Sequence, residues 1–321
     1  MGGKFMNIGF LTKWGSTIQW STENHRFTGQ FIGEELYAHS LCRELLQLEG
    51  VKTAQVYPPG CQPSTQLDVM IHLNDTQPGR FARKHVLYIQ NFYTEGSEVI
   101  LRQLQKAGFD GYAFFSPRLL TLHEQSGLKG IFLPLAADTT IFQPYAKNPK
   151  YAYDVAYVGN DIKGEDRTMK YIYPAIHYNF GLFGNWQPWW HNCPYKEILS
   201  KISQGSLARE QSAILYSSSK IILNCTGEDS IHWDAMNLRL FEALACKGFL
   251  LSDKVPSAQR DLKDCLVFTD GGDDLIQKID YYLSRPKERK EIGENGYQYV
   301  IKHATVTARA QQLYQYIQEI M

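Results

Sequence analysis

The chain has 321 residues, with 33 Lys plus Arg balanced by 33 Asp plus Glu, so its formal charge at neutral pH is zero. That balance argues against a general nucleic-acid binder, which carries a basic face. With 44% hydrophobic and only 21% charged residues, the chain also excludes a disordered, self-repelling polymer, and its length predicts two domains.

Residues 6–12 (MNIGFLT) read as a buried strand, and a polar loop with Gly15 and Gly29 leads into a helix over about 32–48, whose apolar residues Ile32, Leu36, Leu41, Leu45 and Leu48 recur at helical spacing. Strands are predicted at 51–57, 67–73 and 85–90, a helix at 95–107, and a strand around 111–115. Ser116-Pro117 is a helix start, Ser as N-cap and Pro at the first position, and 131–135 is a further strand. Residues 138–153, with two prolines and little periodicity, read as a linker. A second alternating series follows: strand 154–159, helix 165–178, strand 180–184, strand 220–224 and a polar loop 225–233. Next come a helix over 237–247 closed by Gly248 in a left-handed cap, strands 249–252 and 265–268, and helices at about 272–284, 286–302 and 304–319. Strands alternating with helices mean βαβ units and mostly parallel sheets.

The six cysteines (Cys42, Cys61, Cys193, Cys225, Cys246, Cys265) show neither C-x-x-C pairs nor zinc spacing and read as reduced thiols. No signal peptide or transmembrane segment is legible, so a cytoplasmic protein is expected. His72, His85 and His123 read as structural histidines, and Glu228 and Asp229 as solvent-facing acids.

In open parallel sheets, ligands sit beyond the carboxyl ends of the strands. Three places in the second half meet that condition. Val158-Gly159-Asn160, with Lys163, Gly164 and Arg167 behind it, offers a glycine for close backbone approach and cations for a diphosphate. Asn224 ends a strand. Asp234 to Gly248 carries Asn237 and Arg239 between two acids, Asp234 and Glu242, eight residues apart. Asp234 is a plausible N-cap. Glu242, on a largely apolar helix, needs hydrogen-bond donors, which the two hydroxyls of a ribose would supply.

These residues resemble the group 1 glycosyltransferases, family 4 in the broad sense, and within them the CgeB-type branch. The resemblance rests on Leu135–Pro144 (LAADTTIFQP), Tyr157-Val158-Gly159-Asn160 with Arg167, Phe183-Gly184-Asn185-Trp186, Leu215–Asn224, Asn237–Gly248 and His303–Tyr314. Before residue 130 only the architecture and Gly29 ahead of a helix match. The resemblance implies an α/β chain of the GT-B fold, two Rossmann-like βαβ domains with parallel sheets facing across a cleft. An acceptor-side domain is expected over 1–145 and a nucleotide-sugar-binding domain over 146–303, with a terminal helix, 304–321, packing back on the first.

It further implies a hexosyltransferase-type enzyme moving a sugar from a nucleotide-sugar such as a UDP-sugar to a glycan, lipid-linked, protein or small-molecule acceptor. Transfer is expected to be retaining and to use no metal and no cofactor. Glu242 would hold the ribose, Asn237 and Arg239 would orient the donor around the diphosphate, and Arg167 or Lys163 would neutralise its charge. Asp234 stands where the family has the first Glu of its acidic pair, a catalytic position it would share with Arg239 and Arg167. Gly29, Gly159, Asn160 and Asn224 complete the donor set. Two alternatives are a dinucleotide-dependent oxidoreductase, against which residues 9–16 read GFLTKWGS in place of G-x-G-x-x-G, and a non-catalytic nucleotide- or sugar-binding protein.

Overall fold

The computed structural model describes residues 5–16, 19–21, 26–28, 32–92, 96–186 and 195–321. The first half holds β1 (Met6–Leu11), a two-stranded hairpin of β2 (Gln19–Ser21) and β3 (Arg26–Thr28), α1 (Gly33–Leu45), β4 (Val51–Tyr57), β5 (Leu67–Leu73), β6 (Ala82–Ile89), α2 (Ser97–Lys106), β7 (Gly111–Phe114), α3 (Pro117–Glu124) and β8 (Ile131–Phe132). Apart from the hairpin, the strands form one six-stranded parallel sheet in the order β4-β1-β5-β6-β7-β8. β5 is buried at every position, as a central parallel strand covered on both faces must be. Ser116 caps α3 by accepting from the Leu119 N–H at 3.1 Å.

The second half contains β9 (Val155–Val158), α4 (Glu165–Tyr171), β10 (Phe180–Phe183), α5 (Lys196–Ile202), α6 (Arg209–Ser218), β11 (Ile221–Asn224), α7 (Glu228–His232), α8 (Leu238–Ala245), β12 (Leu250–Ser252), α9 (Pro256–Asp261), β13 (Val267–Phe268), α10 (Gly272–Leu283), α11 (Pro286–His303) and α12 (Val306–Ile320). Its five strands are all parallel, ordered β10-β9-β11-β12-β13. α12 lies against α1 and the edge of the first sheet: the Tyr316 hydroxyl accepts from the Tyr112 N–H (2.9 Å), Gln312 donates to the Phe132 carbonyl (2.9 Å), and Arg309 to the Pro134 carbonyl (2.9 Å). The returning chain runs beside the outgoing one, with Ala137 N–H donating to Ala304 C=O and Val306 N–H to Ala137 C=O, both at 2.9 Å.

Several local expectations are corrected. The loop after β1 contains the hairpin. The helix expected over 165–178 is α4 followed by a 3₁₀ turn at Tyr173–His177, because Pro174 cannot continue an α-helical ladder. The loop after β11 contains α7. At the end of α8 the left-handed residue is Lys247 (φ 57°), not Gly248. Gly248 is needed for a different reason: a Cβ there would come within 2.9 Å of the Ala243 carbonyl oxygen. Among the described cysteines, all five are free, and all but Cys61 are buried. No helix among the described residues is long and apolar enough to cross a membrane.

Candidate functional site

A cleft of about 860 Å³ opens where the carboxyl ends of the two sheets meet, a volume suited to a ligand of nucleotide size. From the first half it is lined by the loop after β1 (Lys13, Trp14, Gly15), the start of α1 (Glu34, Tyr37), and Gln90 and Asn91 beyond β6. From the second half it is lined by Asn160 and Ile162 after β9 and by Leu238 at the start of α8.

Beside that wall lies a polar network that crosses three strand ends. Asn224, at the end of β11, is buried. Its Oδ1 accepts from Asn237 Nδ2 and from Arg239 Nη1, each at 2.9 Å. Arg239 also donates through Nε to the Val158 carbonyl (2.5 Å), and its guanidinium lies 4.5 Å from the centroid of the Tyr157 ring. Asn237 is the N-cap of α8, with Oδ1 accepting from Leu240 N–H at 3.3 Å. The cap is therefore Asn237 rather than Asp234, the plausible N-cap in the sequence.

The acid at the centre of this network is one the sequence reading passed over. Asp253, which follows β12, is fully buried. It accepts from the Thr226 N–H (2.7 Å) and Thr226 hydroxyl (2.9 Å), and it pairs with Arg167, whose Nε donates to the Thr226 carbonyl at 2.5 Å. Burial raises the Asp253 carboxyl, against the pull of Arg167 and the Thr226 donors. A signal for it was present, since it is an acid directly after a short apolar strand.

Lys163 completes a basic group. Burial first, then the neighbouring charge of Arg239, lowers its ammonium to about 8, and Arg167 acts in the same direction. Lys163, Arg167 and Arg239 thus face each other's charge with Asp253 as the buried carboxylate among them. A region holding three cations and one such anion carries net positive charge, the sign that favours an anion.

Glu242 sits one helical turn beyond Arg239 on α8. Its carboxylate is hydrogen-bonded to nothing among the described residues. Burial lifts it to about 7; Arg209 and Arg239 oppose the shift, and Asp138 adds to it. Asp138 is itself a knot between the halves, accepting from Arg43 (2.7 and 3.0 Å) and Ser40 (2.6 Å), with Arg209 at 3.5 Å. Burial alone would raise it, but these partners hold it at about 2.

The predicted residues therefore divide. Asn160, Lys163, Arg167, Asn224, Asn237, Arg239 and Glu242 come together beside the cleft. Gly159 joins them for a reason other than the one expected: a Cβ there would overlap the Arg239 guanidinium and the Tyr157 ring, so the missing side chain makes room for arginine. Asp234 stands apart. It is buried with φ 56°, its carboxylate accepts from the Ser257 N–H (2.6 Å) and from the Ser257 hydroxyl, and it borders a second groove with Arg118, His232 and Arg260. There it anchors the first turn of α9. Gly29 lies outside the described residues.

The sequence reading also missed Glu34, Asn74, Tyr37 and Gln90 on the opposite wall. Asn74 Nδ2 donates to Glu34 (2.9 Å), and its Oδ1 accepts from the Gln90 N–H (2.9 Å). No motif marks them, because they meet only when α1, β5 and β6 align.

Comparison with known proteins places this geometry. Residues 167–315 match a family model described as glycosyl transferase-like. No curated protein matches the chain. Among solved structures, a sucrose-phosphate synthase from Thermosynechococcus elongatus superposes with a TM-score of 0.71 at 14% identity, covering 98% of this chain and 99% of the other. The Anabaena protein Alr3699/HepE, in complex with UDP and glucose, gives 0.66 at 12% identity, covering 98% and 99%. The T4 phage BGT, in complex with its UDP-glucose substrate, gives 0.62 at 14% identity, covering 97% and 99%. Residues 167–315 thus resemble a glycosyl transferase-like domain, and the chain as a whole has the GT-B fold of the structures it superposes on.

Proposed function

We propose that the chain transfers a glycosyl group from a nucleotide-sugar, with UDP-sugars the first donors to test, to a hydroxyl-bearing acceptor. The observation that carries this reading is the group of Lys163, Arg167 and Arg239 at the strand ends, with the unbonded Glu242 one turn away. The cations suit a diphosphate, and the carboxylate suits the paired hydroxyls of a ribose. As the glycosidic bond to the diphosphate breaks, negative charge grows on the leaving group while the sugar becomes oxocarbenium-like. Fixed cations aimed at that charge stabilise the transition state more than the ground state. Because side chains can supply the counter-charge, we propose transfer that needs no metal. Retention of anomeric configuration and membership of the CgeB-type branch rest on the motif resemblance, chiefly Phe183–Trp186 and Asn237–Gly248.

A thermal-shift screen against nucleotide-sugars tests the reading. A ligand at 100 times its dissociation constant adds about 2.7 kcal/mol of stability. The expected result is a raised melting temperature with one nucleotide-sugar, accompanied by slow release of its nucleoside diphosphate in water. A shift with NAD alone would replace this reading with an oxidoreductase, and a shift without any release, even with acceptors added, would leave a binding protein.

A further inference from the structure

Helix α5 grips the segment between β9 and α4 from behind. In that segment Asn160 and Ile162 line the cleft, while Asp161 between them is turned away and buried. Its charge partner is Lys196, the first residue of α5. The ammonium lies 3.5 Å from the Asp161 carboxylate, and each side chain is only 4% exposed.

Two further contacts from α5 and its flanks reach the same segment. The Tyr195 hydroxyl, one residue before Lys196, donates to the Glu165 carbonyl at 3.3 Å. The Ser203 hydroxyl, at the end of α5, donates to the Gly184 carbonyl at 3.1 Å. Gly184 in turn lies so close to the end of β9 that a Cβ there would overlap the Gly159 carbonyl. Beside it the Asp161 N–H donates to the Asn185 carbonyl (3.1 Å), and the Asn185 N–H to Asn160 Oδ1 (2.9 Å). α5 is thus a splint across the ends of β9 and β10.

The ion pair is badly built for stability. Lys196 Nζ makes no hydrogen bond among the described residues, and two buried charges held apart in this way do not recover the cost of leaving water. What the pair does supply is a shape: it fixes the one inward-facing side chain between two cleft-lining residues. From this geometry we propose that Lys196 is a positioning residue, which acts through Asp161 to hold the β9–α4 segment so that Asn160 and Lys163 meet the diphosphate of the donor. The donor rests on the glycosyl-transfer reading above; the strut rests on α5 and its contacts.

The double variant Asp161→Asn/Lys196→Met tests the proposal. It removes one charge of each sign, so the net field on an anion in the cleft changes little. Its melting temperature should equal that of the parent. Amide hydrogen exchange across residues 159–164, followed by mass spectrometry, should speed about tenfold or more while β11 stays protected. Calorimetry should show UDP bound about tenfold or more weakly. Lys196→Met alone, which leaves Asp161 buried without its counter-ion, should melt below both. The proposal is overturned if the double variant melts well below the parent, for the pair then serves stability. It is equally overturned if exchange at 159–164 is unchanged, if exchange speeds while UDP binds as tightly as to the parent, or if Lys196→Met melts with the parent. Faster exchange in a protein whose parent form binds no UDP would instead defeat the glycosyl-transfer reading and leave the strut standing.

Discussion

Replacing Asp253 by alanine separates two jobs that Arg167 can have. Asp253 is fully buried, and the Arg167 side chain paired with it is 12% exposed. Removing the carboxylate leaves a mostly desolvated guanidinium without its counter-ion and strands the Thr226 N–H that donates to it at 2.7 Å. Breaking one side of a buried ion pair costs about 3–5 kcal/mol. With an unfolding entropy of about 2.1 cal/mol/K per residue, a chain of this length loses about 4–7 °C in melting temperature for that cost. Urea unfolding followed by circular dichroism measures it. The double variant Arg167→Met/Asp253→Leu, which removes both charges, should recover most of the loss. Calorimetry with UDP on that double variant then decides the second job. A tenfold or greater loss of affinity assigns Arg167 to the diphosphate as well as to Asp253, whereas unchanged affinity leaves the diphosphate to Lys163 and Arg239. A cost below about 1 kcal/mol for Asp253→Ala, the level of an exposed ion pair, would refute the claim that this network is dry.

Affinity for UDP-glucose, whose phosphates are both esterified and do not titrate near neutrality, is expected to be bell-shaped in pH. It should rise as Glu242 ionises near 7 and fall as Lys163 loses its proton near 8. Glu242→Gln should flatten the acid limb and Lys163→Arg extend the alkaline one, and a flat calorimetric profile in the parent would remove both groups from the site. Glu242→Ala should weaken nucleotide binding by about 1–3 kcal/mol; unchanged affinity sinks the ribose assignment. The stability profile of Glu242 has the opposite sign to its binding profile. Its folded pKa lies above the ordinary 4.5, so its contribution is complete below that value and lost as pH rises through about 7. Melting temperatures of Glu242→Gln should therefore match the parent in acid and exceed it above neutrality. Asp234→Ala should cost about 1–3 kcal/mol by freeing the Ser257 amide and hydroxyl and leave UDP affinity alone; lost affinity at unchanged stability would return Asp234 to the donor site.

The sequence made the alternating architecture legible because buried parallel strands such as β11, and β5 apart from Asp68 and His72, are compact apolar runs between turn residues. It made the basic residues legible because they follow strand ends at short range. It did not reveal partners. Arg167 is far in sequence from Asp253, and nothing local in either segment announces that β9, β11 and β12 bring them together. Asp234 misled for a local reason: it precedes an apolar helix as an N-cap does, but Asn237 takes the cap and Asp234 turns into a left-handed position to hold α9. Gly159 was legible as a place for close approach, but the identity of what approaches, Arg239, depends on a helix that arrives later in the chain.

The double crossing at Ala137 and Thr305 also bears on how the molecule is made. The second lobe is an insertion within the first, so during synthesis α1 and the β7–β8 edge wait for α12 while the whole second lobe is translated and folds. The first lobe is begun early and finished late. Once both crossings are hydrogen-bonded side by side, the two connections between the lobes run as one paired ribbon, so neither shifts without breaking those bonds.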